Sequence, residues 1–120
     1  MTVIGDTAEA LRTALRGVKG LRVFDDPGAV NSPPGAVVGP PVLRWESYDA
    51  MPSSATFTVY LIAKAEARAM DRLFEYLPLV AAAVDTVTDA VVTTAQPGMY
   101  QANGSDLPTY ELTVTVGLSG

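Results

Sequence analysis

The chain has 120 residues and a net charge of −5, with 48% hydrophobic and 18% charged residues and neither histidine nor cysteine. A chain this short supports one apolar core, hence a single domain over 1–120; it is too apolar for disorder, and no run approaches the ~18 apolar residues that a spanning helix needs. The two missing residue types exclude nucleophilic catalysis built on His or Cys, ordinary zinc sites and disulfides.

Met1 to Asp6 has neither the basic nor the apolar region of a secretory signal. A first helix is expected after Asp6, which has the position of a cap with Glu9 three residues on, as in a capping box. Ala8, Leu11, Leu15 and Val18 then recur every three or four residues, and the helix ends in Gly17 to Gly20. Leu21 to Phe24 reads as a short strand, stopped by Asp25-Asp26-Pro27-Gly28. Residues 25–41 hold five of the nine prolines and are expected to form an arm or functional loop, in which only Ala36-Val37-Val38 pairs, as an edge strand.

Leu43 to Tyr48 predicts a strand and Asp49 to Ser54 a turn. In Ala55 to Ala65, Phe57, Val59, Leu61 and Ala63 alternate with Thr56, Thr58, Tyr60 and Lys64, the period of a strand with one buried face; Ile62 breaks the pattern. Met70, Leu73, Leu77, Val80 and Val84 form a second helical stripe, which Pro78 is expected to kink or restart. Val91 to Gln96 reads as a strand, Pro97-Gly98 as a turn or bulge, and Asn103 to Asp106 as a turn. The last strand, Tyr110 to Leu118, alternates apolar and polar residues throughout. The fold class is therefore α+β: a mostly antiparallel sheet of four to five strands, with two helices on one face and the other face wet or covered by another subunit.

Charge is unevenly placed. All eight bases precede Leu73, balanced there by eight acids, and the last 48 residues carry Glu75, Asp85, Asp89, Asp106 and Glu111 with no base. A grip on nucleic acid by phosphate neutralisation does not fit that half. Two basic ladders, Arg12 and Arg16 with Lys19 beyond, and Lys64, Arg68 and Arg72, read either as solvated helix faces or as a surface meeting the acidic half of a neighbouring copy. Asp25-Asp26 reads as a turn before it reads as a cation site, and Gly17-Val18-Lys19-Gly20 lacks the Ser/Thr of a phosphate loop. Trp45 and Tyr48 read as core or interface, with core preferred for Trp45, and Tyr60 and Tyr100 are expected against a partner. No catalytic, cofactor-binding or metal-binding residues are expected.

The run "GLRVFDDPG", "SPPGAVVGPP", "WESYDAM", "ATFTVYLIAKAEARAMDRLFEYL" and "PTYELTVTVGL" resembles, in order and texture over nearly the whole chain, the small tail-terminator proteins of long-tailed (siphovirus-type) phages, particularly those of actinobacteria. The resemblance implies a homo-oligomeric ring, usually of six copies, that caps the tail tube and joins it to the head-side neck or connector protein. It implies the virion as location, with assembly in the host cytoplasm, no membrane, and the major tail-tube protein as partner. It also implies that DNA passes through the channel without specific binding. On that reading Asp85, Asp89, Asp106 and Glu111 are lumen or tube-facing candidates. The interface candidates are Arg12, Arg16, Lys64, Arg68, Arg72, Pro33, Pro34 and Val37. A neck or head-completion ring protein is the alternative within the structural class, and a small-molecule-binding or enzymatic α+β domain the alternative outside it.

Overall fold

The computed structural model describes residues 2–24, 34–46, 48, 50–102 and 104–118. Helix α1 (Val3–Arg16) begins earlier than the Asp6 cap implies, because the Thr2 side chain caps it by accepting the Gly5 N–H at 2.9 Å. Asp6 lies instead in the first turn, where a negative charge favours the helix N-terminus. The helix buries Leu11 and Leu15 as its periodicity requires. The exit passes through Gly20 at φ 83°, where the Tyr76 hydroxyl donates to the Gly20 carbonyl at 3.2 Å.

Strands β1 (Arg22–Phe24), β2 (Gly35–Val38), β3 (Val42–Arg44) and β4 (Ser54–Ile62) follow, then helix α2 (Ala69–Asp85) and strands β5 (Ala90–Ala102) and β6 (Ser105–Gly117). They make one sheet of six strands, in the order β1-β2-β4-β6-β5, with β3 also paired to β4. Every pairing is antiparallel except β1 with β2. The α+β architecture with a mostly antiparallel sheet is as expected, with one strand more.

The extra strand comes from the proline-rich stretch, of which residues 25–33 lie outside the described residues. Ala36-Val37-Val38 is no edge strand: β2 is paired on both sides, to β1 and to β4, and is buried throughout. β2 and β3 line the same edge of β4 in succession, with Val38 opposite Val59 and Val42 opposite Thr56. Gly39-Pro40-Pro41 spans that gap with one residue more than β4 has opposite it. Prolines cannot donate to a ladder, so they divide one strand into two short ones at this bulge. The strand expected over Leu43 to Tyr48 accordingly ends at Arg44.

Both helices pack on the face carrying Ala55, Phe57, Val59 and Leu61 of β4 and Leu112, Val114 and Val116 of β6, all buried in the main core with Leu11, Leu15, Leu73, Val80 and Val84. Helix α2 continues through Pro78 as one element. Burial of Leu73 on one side of the proline and of Val80 and Val84 on the other holds both halves to the sheet, which offsets the ~3 kcal/mol that an interior proline costs.

β5 and β6 form a hairpin of thirteen residues per strand, about 40 Å long at the usual rise. It accounts for molecular dimensions of 50 × 27 × 24 Å. Pro97-Gly98 makes no turn, since Pro97 sits in register opposite Tyr110. β5 is an edge strand, the place where a sheet tolerates proline. The irregularity lies instead between Val92 and Thr94. The turn joins Ala102, paired with Ser105, through Gly104 at φ 78°; Asn103 lies outside the described residues.

Candidate functional site

The uncovered sheet face carries two kinds of residue. Toward the start of β4 it is a field of hydroxyls, with Thr56 opposite Thr115 and Thr58 opposite Thr113. Toward its end lies a second small apolar cluster, in which Val37, Ile62 and Leu107 are buried under Phe24, Tyr60 and Tyr100. Ile62, which broke the alternation of its strand, is thereby explained: it belongs to this second cluster. Tyr60 and Tyr100 meet edge to face with centroids 5.4 Å apart, so part of their surface is used within the chain.

The two basic ladders are largely paired with acids close by in the chain. Glu9 takes Arg12 at 3.2 Å and Arg16 at 2.9 Å, and these contacts, that with Arg16 foremost, hold its pKa below 4.5. Arg68 meets Asp71 at 3.4 Å and Arg72 meets Glu66 at 4.0 Å, all four mostly exposed, where such pairs contribute ~0–1 kcal/mol. Lys64 is exposed. Apart from Arg12, which is half-buried with its Nε out of reach of solvent, these bases stand at the surface of the chain. Of the other interface candidates, Pro34 is half-buried just before β2 and Val37 is wholly buried in its own chain, leaving it no surface to offer a neighbour; Pro33 lies outside the described residues.

The four candidate acids of the base-free half do not cluster. Asp85 ends α2, and Asp89 follows in a left-handed turn at φ 61°, its carbonyl accepting the Gly117 N–H at 3.2 Å. Asp106 stands near the hairpin tip, opposite Gln101. Glu111 lies between these ends on the uncovered face, opposite both Tyr60 and Gln96, with its carboxylate over Gly98. Asp85, Asp89 and Asp106 are exposed and Glu111 half-buried, so the acids are strung along the hairpin. A groove between α1 and the base of the hairpin brings Asp6, Glu9 and Asp89 together with Thr7, Thr13 and Thr88. Among the described residues no group of three or more acids is placed to hold a metal ion, and no helix is long and apolar enough to cross a membrane.

Trp45 is not in the core. It is 52% exposed, in a loop with Tyr48 and Met51, and Phe74 and Met99 are likewise exposed. The core preference for Trp45 is thus overturned, and Met51, Phe74 and Met99 escaped the sequence reading, although one signal was present: Trp45, Tyr48 and Met51 fall among turn-forming residues, where no strand or helix period obliges them to turn inward.

Comparison with protein-family models and with curated protein sequences finds no match.

Proposed function

We propose that the protein is a tail terminator of a long-tailed phage, a non-enzymatic ring of about six copies in the virion that stops tube elongation and joins the tail to the head-side connector. The resemblance of its segment order to that family motivates the reading. The structural observation that supports it best is the β5–β6 hairpin, whose 28 residues from Ala90 to Gly117 contain acids and no base. Set along a channel axis, its uncovered face would present Glu111, with Asp89 beyond one end of the strand; Asp106, five residues before Glu111, stands near the tip on the opposite face. Such a wall repels a polyanion and lets it slide, whereas bases would bind its phosphates.

The test is to add the purified protein to polymerising tail-tube protein. Tubes that stop growing and carry a ring at one end are the expected result. Unchanged tube length with binding to the head-side connector alone would transfer the protein to the neck. Cryo-microscopy of the ring is expected to find Asp89 and Glu111 facing the channel, and an outward orientation of both refutes the conduit.

A further inference from the structure

Two clusters of exposed apolar side chains stand at diagonally opposite corners of the sheet. The first is the loop between β3 and β4. Its neck is closed by the Ser53 N–H on the Arg44 carbonyl at 2.7 Å and the Glu46 N–H on Ser53 Oγ at 3.0 Å, and Trp45 Nε1 donates to the Ala50 carbonyl at 3.2 Å. This braced loop presents Trp45 (52% exposed), Met51 and the wholly exposed Tyr48.

The second cluster is where the outer side of α2 meets the hairpin. Met70 and Phe74 lie one helical turn apart, and the Phe74 ring is 6.0 Å from that of Tyr110. Tyr110 is paired with Pro97, and Met99 follows two residues on, on the same face of β5. Phe74 is 53% and Met99 63% exposed. Contiguous apolar patches of this kind on a soluble protein mark contact sites.

The loop borders the β3 edge at the start of β4, whereas the second cluster borders the β5 edge beyond its end. The nine residues of β4 hold them about 26 Å apart, so one chain cannot bring them together. Two copies related by a two-fold axis would make such a contact twice, loop to face and face to loop; made once per copy it is heterologous and propagates from copy to copy until it closes, which is the arrangement that the ring reading requires. We propose that the Trp45-Tyr48-Met51 loop of one copy packs against the Met70-Phe74-Met99 face of the next.

The chemistry matches. Aromatic anchors protrude on one side, and two methionines, which adapt to the shape they meet, receive them on the other. The loop neck carries Glu46, while Arg68 and Arg72 stand on the first turns of α2 with only weak pairs of their own. Every copy has one loop and one face, so a closed ring leaves neither uncovered. The choice of a second copy as occupant rests on the ring reading above.

Trp45 is the only tryptophan and reports on the contact directly: its emission is expected to shift to the blue as wild-type protein associates with rising concentration. The pairs Tyr48→Asp with Met51→Asp, and Phe74→Glu with Met99→Glu, are each expected to leave a folded monomer by circular dichroism and sedimentation velocity, association falling about thirtyfold or more, as for loss of a central anchor. An equimolar mixture of the two has one intact loop and one intact face, and is expected to give a dimer and nothing larger. Should a double variant fail to fold, Tyr48→Asp and Met99→Glu alone serve the same test.

Wild-type association by either variant, a mixture that stays monomeric, or Trp45 emission indifferent to association overturns the contact. So does a blue shift produced by phosphatidylcholine–phosphatidylglycerol vesicles instead of by protein concentration, which would make the loop a membrane-interface element. Tube capping by rings that survive both double substitutions rejects this contact alone; rings built through it that leave tube growth unaffected reject the terminator reading alone.

Discussion

Glu9 shows how the meaning of a residue changes when its neighbours are placed. By spacing it is the reciprocal partner of a capping Asp6; in the fold it gathers Arg12 and Arg16 on the exposed side of α1. Because these partners, Arg16 foremost, lower its pKa from the ordinary glutamate value, the stability they contribute is present above the unfolded-state pKa and is lost as pH falls through the folded-state pKa. Glu9→Gln is therefore expected to lower stability modestly at neutral pH, and the difference from wild type to shrink at an acid pH below the ordinary glutamate range. Urea titrations at the two pH values measure it, and a difference that does not change with pH rejects the pairing. Trp45 shows the same limit differently. A large apolar residue is more often inside than outside, but its seat is decided by where the chain reverses, and here the reversal between β3 and β4 holds the ring at the surface.

Among the elements, α1, β4, α2 and β6 were legible because each has a long apolar period, and the core that covers Leu11, Phe57, Leu73 and Val114 rewards that period directly. The proline-bearing elements were not. Pro78 and Pro97 both read as breaks, yet α2 and β5 run through them. In α2 packing on both sides of the proline outweighs the lost hydrogen bond, and in β5 the outer side has no ladder to lose. Pro78 is exposed, so Pro78→Ala restores a helix hydrogen bond without disturbing the core. It is expected to raise stability by ~1–3 kcal/mol, seen as a higher denaturant midpoint with an unchanged slope; a lower midpoint would mean that the sheet requires a bend at that position.

On the scale of the molecule, the charge split becomes an arrangement along the hairpin, with Asp89 and Asp106 near its ends and Glu111 between them. If this is a conduit wall, its sign matters more than any single side chain. Rings carrying Asp89→Lys and Glu111→Lys together are expected to retain duplex DNA at low salt where wild-type rings do not, and to release it steeply as salt rises. Equal retention by both rings in a filter-binding assay would remove the hairpin from the channel. The candidate surfaces themselves were only half legible. The acids could be named from the order of charges alone, but the exposed Phe74 and Met99 were hidden in segments whose period looks the same whether a residue faces its own core or a neighbour.

The amino-acid sequence by itself determined the α+β class, both helices, the buried faces of β4 and β6 and the base-free C-terminal half, because these depend on short-range periodicity and on composition. The tertiary structure decided that β2 lies inside the sheet, that β5 is its edge, that Val37 is core and that Trp45 is surface. Each of these depends on partners distant in the chain: Val37 is buried by Ile62 and Leu107, and β5 can carry Pro97 because no strand among the described residues pairs with its outer side. A local pattern specifies that a side chain must be buried, but only the packed chain specifies what buries it.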